Sequence, residues 1–203
     1  MAQYGFHIDL NACIGCKACQ MACKDRANNE VGTNWRRVVE YGGGEWTKVG
    51  NAWQHNIFTY FVPTACHHCS NPPCLPVCPT AAIVKDDNGI VKIDVEQCIG
   101  CHYCEWACPW GAPQFYEELA TVNKCDFCKD LVDAGGNPAC VEACPMRAMD
   151  WGDIEELKAR YPEAVFPVEP LAEPQDFGPN ALYTPHRQAG AAAAGAILNQ
   201  EEI

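Results

Sequence analysis

Sixteen cysteines stand in this chain of 203 residues, and they fall into four groups of four with none left over. The first group is Cys13, Cys16, Cys19 and Cys23, in "CIGCKACQMAC". The third, Cys98, Cys101, Cys104 and Cys108 in "CIGCHYCEWACP", nearly repeats it. The second is Cys66, Cys69, Cys74 and Cys78, in "CHHCSNPPCLPVCP". The fourth is Cys125, Cys128, Cys140 and Cys144, in "CDFCKDLVDAGGNPACVEACP". Sulfur this dense must be joined in pairs or must bind something, and three chemistries compete: disulfides, zinc and iron–sulfur clusters.

Disulfide frameworks belong to small secreted chains. The opening "MAQYGFHIDLNAC" has neither the basic start nor the apolar core of a signal peptide, and Arg36–Arg37 lies in "TNWRRVVEY" with no apolar stretch behind it. No apolar run reaches the length that spans a bilayer, because Pro63 and polar residues interrupt "NIFTYFVPTACHH". The expectation is a chain without a membrane span of its own, matured where thiols stay reduced. A formal net charge of −12 leaves no basic footprint for nucleic acid.

The first and third groups have the C-x2-C-x2-C-x3-C spacing of bacterial ferredoxins, in which the fourth cysteine ligates a second cluster. Three thiolates on one tight loop can grip three irons of a cubane, while the fourth opens the next helix and faces away. A proline follows the fourth cysteine in three groups, as Pro79, Pro109 and Pro145; Lys24 stands there in the first. A lone C-x2-C pair would suit zinc, and the fourth group could pass for a zinc ribbon. The first and third could not, so the common expectation is four 4Fe–4S clusters. The second and third groups are spaced as in a small two-cluster ferredoxin. They should exchange fourth ligands: Cys66, Cys69, Cys74 with Cys108, and Cys98, Cys101, Cys104 with Cys78. By elimination the outer pair is Cys13, Cys16, Cys19 with Cys144, and Cys125, Cys128, Cys140 with Cys23.

The expected fold is α+β: a duplicated, nested 2×(4Fe–4S) ferredoxin-like fold with a β-hairpin insertion and an irregular C-terminal tail. Residues 1–30 with 120–160 would form the outer unit and 63–119 the inner one. The insertion, 31–62, reads as two strands joined by a Gly-rich turn. "YGFHID" and "GIVKID" alternate as strands do, "AAIVKDDNGIVKID" is a hairpin turning at Asn88–Gly89, and "PQFYEELATVNK" is a second hairpin. Short helices should run from Cys19, Cys74, Cys104 and Cys140, and Asp153 caps another, with Glu156 three residues on. Residues 161–203 are proline-rich and aperiodic, so they should wrap a partner or stay loose, and "AGAAAAGAIL" reads as low-complexity tail more than helix. The six tryptophans read mainly as packing, and His67, His68 and His102 as donors beside the clusters, not ligands.

On "WRRVVEYGGGEW", "CIGCHYCEWACPWGAPQFY" and "NKCDFC", the chain resembles the four-cluster electron-transfer subunits of the molybdopterin oxidoreductase superfamily, and among them the dimethyl sulfoxide reductase type. The resemblance covers about the first four-fifths. It implies a non-catalytic subunit between a molybdopterin catalytic subunit and an integral-membrane, quinol-oxidising anchor, hence a peripheral location reached through partners. It further implies that the cluster of Cys13, Cys16 and Cys19 lies towards the catalytic subunit. That of Cys98, Cys101 and Cys104 would lie towards the quinol site, with Pro79, Thr80 and Tyr103 close by. A soluble polyferredoxin serving several enzymes is the alternative, and a zinc-stabilised interaction module is a third class. The terminal substrate would belong to another chain.

Overall fold

The computed structural model describes residues 2–173, 176–190 and 195–202. Its elements are short, because the cysteine loops interrupt every run that could lengthen. Strand β1 (Tyr4–Asp9) is the centre of one three-stranded sheet. It pairs antiparallel with β10 (Met149–Asp153) and parallel with β11 (Ala181–Thr184). Both of its faces are covered: Phe6 and Ile8 enter the main apolar core, while the ring of His7 stacks on Tyr161 at 3.5 Å.

A second sheet places β2 (Arg37–Gly43) between β12 (Gly195–Ile197) and β5 (Phe58–Thr64). The β-branched and aromatic residues of β2 pair with β5 over seven positions. Pro63, which lacks a ladder donor, is tolerated because β5 is an edge strand. Between these strands a second hairpin, β3 (Trp46–Val49) and β4 (Ala52–His55), stands exposed on every residue. The insertion therefore has four strands, not the expected two. Gly42 and Gly43 end β2, and the chain turns within the added hairpin instead.

The expected hairpins are present as β6 (Ile83–Lys85) with β7 (Val91–Ile93), and β8 (Gln114–Tyr116) with β9 (Thr121–Asn123). The first turns through a loop in which the Asp86 carboxylate accepts from the N–H groups of Asn88 and Ile90. Helix α1 (Ala18–Ala27) runs ten residues, whereas α2 (Tyr103–Ala107) and α4 (Ala139–Glu142) stop after five and four. Proline explains the difference. It disfavours helical backbone in the residue before it and removes a donor, so α2 and α4 end just ahead of Cys108–Pro109 and Cys144–Pro145. Lys24 lets α1 continue, and its ammonium then ties down the carbonyls of Glu30 and Thr33. The helix expected from Cys74 is only a run of turns, because Pro72, Pro73 and Pro76 crowd it. Helix α3 (Lys129–Asp133), inside the long gap of the fourth group, is an addition to the expected set. Asp153 caps α5 (Ile154–Arg160) by accepting from the Glu155 N–H.

The tail is neither loose nor free of the fold. It cannot build a core of its own, so it borrows one: β11 adds to β1 and buries Tyr183 completely. Strand β12 then pairs with β2, in place of the expected low-complexity stretch, of which residues 191–194 lie outside the described residues. The tail also fastens the second cysteine loop. Ser70 N–H donates to Gly178 O at 2.7 Å, Asn71 N–H to Phe177 O at 2.9 Å and Asn180 N–H to His67 O at 3.0 Å.

Candidate metal centres

Each cysteine group opens with the same backbone device. The residue before the second cysteine is left-handed in all four: Gly15 (φ 68°), His68 (φ 42°), Gly100 (φ 65°) and Phe127 (φ 64°). That turn points the flanking sulfurs to one side of the loop. At two positions glycine is needed for room as well, since a Cβ on Gly15 would lie 2.4 Å from the Phe61 ring and one on Gly100 2.4 Å from Ala120 O. A left-handed phenylalanine or histidine is strained, and the same strain recurring at equivalent positions marks a shared task. The groups close alike too. Three residues past the fourth cysteine the chain is again left-handed at Ala81, Gly111 and Arg147. The following N–H then turns back on the sulfur, from Ala112 to Cys108 Sγ at 3.4 Å and from Ala148 to Cys144 Sγ at 3.3 Å.

These loops enclose four cavities, and each is lined by one of the four exchanged cysteine sets. Cys13, Cys16, Cys19 and Cys144 line one. Cys23, Cys125, Cys128 and Cys140 line a second, the roomiest of the four. Cys66, Cys69, Cys74 and Cys108 line a third, and Cys78, Cys98, Cys101 and Cys104 a fourth. In every case three sulfurs come from one group and the fourth from its partner group. A spacing of four residues does this, on a helix or across turns: Cys19 and Cys23 on α1 line different cavities, as do Cys140 and Cys144, Cys74 and Cys78, Cys104 and Cys108. The sulfurs ring a volume instead of converging on a point. Among the described residues no three His, Cys, Asp or Glu side chains are set at single-ion spacing. Four thiols around such a volume suit a cubane, each sulfur taking one iron.

Three apolar cores alternate with the four cavities. Cys19 and Cys140 pack into the first; Cys23, Cys66 and Cys125 into the second; Cys74 and Cys104 into the third. The order along the molecule is therefore Cys13 cavity, Cys125 cavity, Cys66 cavity, Cys98 cavity. All four cysteines of the Cys125 cavity are buried, and three of four in the Cys66 cavity. Each end cavity has a single buried cysteine, Cys19 or Cys104.

Burial raises most of these thiols. It pushes Cys19 and Cys104 up to about 11 and Cys23 and Cys74 up to about 12, and it raises Cys125 well above its ordinary value. A bound metal would stabilise them as thiolates. Cys78 is the exception. Burial raises it too, but the Thr80 hydroxyl at 3.6 Å and the N–H groups of Thr80, Ala82 and Ile83 outweigh that and lower it.

Two cations that the sequence does not single out stand beside the cavities. Arg36 is 2% exposed and lines the Cys125 cavity, its guanidinium 3.5 Å from Cys140 Sγ. Lys124 is 1% exposed and lines the Cys66 cavity, its ammonium donating to the carbonyls of Val91 and Cys125. Of the three histidines, none completes a sulfur set. His67 lines the Cys66 cavity and His102 the Cys98 cavity. His68 lies beneath, its Nδ1 accepting from Val91 N–H at 3.0 Å, a bond that leaves its proton on Nε2. Burial holds His67 down at about 3, so its ring is neutral. Thr80 lines the Cys98 cavity, while Pro79 and Tyr103 lie exposed near it. The tryptophans divide: Trp35 and Trp110 are buried and Trp151 half-buried, but Trp46, Trp53 and Trp106 are exposed, against the expectation of packing.

Two family models match the chain, a 4Fe–4S dicluster domain over residues 57–154 and a 4Fe–4S binding domain over residues 4–25. The protein is thus of the ferredoxin-type 4Fe–4S class. The B subunit of the anaerobic dimethyl sulfoxide reductase of Escherichia coli K12 is 40% identical over 203 residues, covering 99% of this protein and 98% of the relative. The subunit of the same name from Haemophilus influenzae is 40% identical over the full length of both. A thiosulfate reductase electron transfer subunit of Salmonella typhi is 42% identical over 76% of this protein and 78% of its own length. The chain belongs to the family of dimethyl sulfoxide reductase-type iron–sulfur subunits, whose members are named as iron–sulfur or electron transfer subunits.

Proposed function

We propose that this chain carries four 4Fe–4S clusters, one in each cavity, and relays electrons between a quinol-oxidising membrane subunit and a molybdopterin catalytic subunit of the dimethyl sulfoxide reductase type. When bound, such clusters supply one-electron chemistry at tunable potential, and cysteine on every iron leaves no open position for a substrate. The sixteen cysteines would hold them in the four exchanged sets. The nested duplication, residues 1–30 with 120–160 around 63–119, accounts for β1 pairing with β10 across the whole inner unit.

One observation carries the relay: successive cavities share an apolar core in the order Cys13, Cys125, Cys66, Cys98, and the two inner cavities hold seven buried cysteines against one in each outer cavity. Beside the Cys13 cavity, Ile14, Met21 and Met146 are exposed; beside the Cys98 cavity, Ile99, Tyr103 and Trp106 are. An apolar patch beside each outer cavity suits two fixed partners better than a freely diffusing carrier. The Cys98 end, with Pro79, Thr80 and Tyr103, would face the quinol-oxidising anchor, and the Cys13 end the catalytic subunit. Among the described residues no helix is long and apolar enough to cross a membrane, so membrane attachment would come through the anchor.

The test is purification of the native complex, followed by reduction with a quinol analogue and addition of dimethyl sulfoxide. Co-purification of a molybdopterin subunit, and loss of the reduced-cluster paramagnetic signals on adding the sulfoxide, is the expected result. A chain recovered alone with its sites loaded would favour the soluble polyferredoxin.

A further inference from the structure

Arg36 and Lys124 are the two largest buried cations, and nothing anionic in the ordinary sense answers them. Among the described residues neither forms an ion pair with a carboxylate, although seven such pairs occur elsewhere. A cation taken wholly out of water costs several kcal/mol unless an anion is close. What does stand before them is sulfur. Arg36 lines the Cys125 cavity, its guanidinium 3.5 Å from Cys140 Sγ. Lys124 lines the Cys66 cavity, its ammonium held by the carbonyls of Val91 and Cys125.

The distribution is uneven. Arg36 lines the Cys125 cavity and Lys124 the Cys66 cavity, and neither lines the Cys13 or the Cys98 cavity. In that last cavity the lining holds His102, which pairs with Glu105, and hydrogen bonds to Cys78 take the place of a charge.

We infer that Arg36 and Lys124 are potential-setting residues: fixed positive charges that favour the reduced form of whatever fills the cavity each one lines, the Cys125 and the Cys66 cavity, and leave the Cys98 cavity untouched. This rests on the cluster reading above. Reduction adds one electron to a site already anionic, so a cation in a low-dielectric interior stabilises the reduced state more than the oxidised one and raises the midpoint potential. Neither side chain is a ligand; each acts through the sulfurs it faces.

The experiment uses the full complex with the substitutions Arg36→Gln, Arg36→Lys and Lys124→Met, and reads midpoint potentials by paramagnetic resonance during a redox titration. Signals are assigned beforehand with a cysteine-to-serine change in each cavity, and iron and sulfide content is measured on every sample. Arg36→Gln should lower the midpoint of the Cys125 site most. Lys124→Met should lower that of the Cys66 site most. A shift of at least tenfold in the redox equilibrium is expected, about 59 mV for one electron. The Cys98 site should stay put in both, and Arg36→Lys, which keeps the charge, should keep native potentials. If Arg36→Gln loses its clusters, the Lys124→Met and Arg36→Lys potentials still decide. Unmoved midpoints in fully loaded variants, an equal shift at all four sites, or a fall in Arg36→Lys as large as in Arg36→Gln would overturn the inference. Less than a full complement of clusters in the unaltered complex would instead count against the reading under Proposed function.

Discussion

The Cys125 and Cys98 cavities are built from the same motif and solve its electrostatic problem in opposite ways. In the first, all four sulfurs are buried and the buried guanidinium of Arg36 lies 3.5 Å from Cys140 Sγ. In the second, only Cys104 is buried, and the charge on sulfur is met by hydrogen bonds from Thr80, Ala82 and Ile83 to Cys78 and from Val122 N–H to Cys98 at 3.4 Å. Depth decides which device is available. A sulfur near the surface can share its charge with N–H and O–H donors and with water, whereas one in the interior needs a full opposite charge. The repeated loop thus fixes where the sulfurs go, and the surroundings decide how their charge is carried.

The strongest way to break the comparison is to remove what supports the deep half. The tail fastens the Cys66–Cys74 loop through Gly178, Phe177 and Asn180, and Trp110 donates to Ala172 O. Among the described residues it makes no such bond to the Cys98 loop. A chain truncated after Tyr161 should lose most of its iron, the Cys66 and Cys125 sites first. Iron and sulfide assays on full-length and shortened chains, each co-expressed with its partners, would show it; full loading of the shortened chain would mean the tail is dispensable.

A smaller effect should separate single ligands. Cys125→Ser alters a buried ligand of the cavity that Arg36 lines, and leaving a buried charge without its partner costs about 3–5 kcal/mol. Cys101→Ser weakens a half-buried site that donors and solvent already support. The thermal midpoint of the Cys125→Ser chain should therefore fall well below that of Cys101→Ser, with more clusters lost. Equal destabilisation would show that depth and cations are irrelevant to holding the fold.

Much of this was legible in the sequence because the spacing of cysteines is itself geometry. Residues three apart with a glycine between can only curl a loop, and a proline after the fourth cysteine can only stop a helix, so "CIGCHYCEWACP" announces its own backbone. Arg36 and Lys124 carried no such sign. Arg36 reads as half of an Arg–Arg pair and Lys124 as a lone lysine after a strand, and only the packing around β2, β9 and the cysteine loops takes them out of water. The tail misled for a related reason: "NALYTPHR" has too little periodicity to read as a strand, yet β1 offers it an open edge in parallel register. The added hairpin of Trp46 and Trp53 was hidden by the glycines before it, which read as a turn when they end a strand.

The central claim, that each cluster takes its fourth ligand from the neighbouring group, is tested most directly by the paramagnetic spectrum of a dithionite-reduced Cys78→Ser complex. Cys78 belongs by sequence to the group of Cys66, Cys69 and Cys74, but it lines the cavity of Cys98, Cys101 and Cys104. The altered signal should be the one that Cys101→Ser alters, with the signal sensitive to Cys69→Ser intact. The reverse, a change in the Cys69-sensitive signal with the Cys101-sensitive one unmoved, would contradict the exchange.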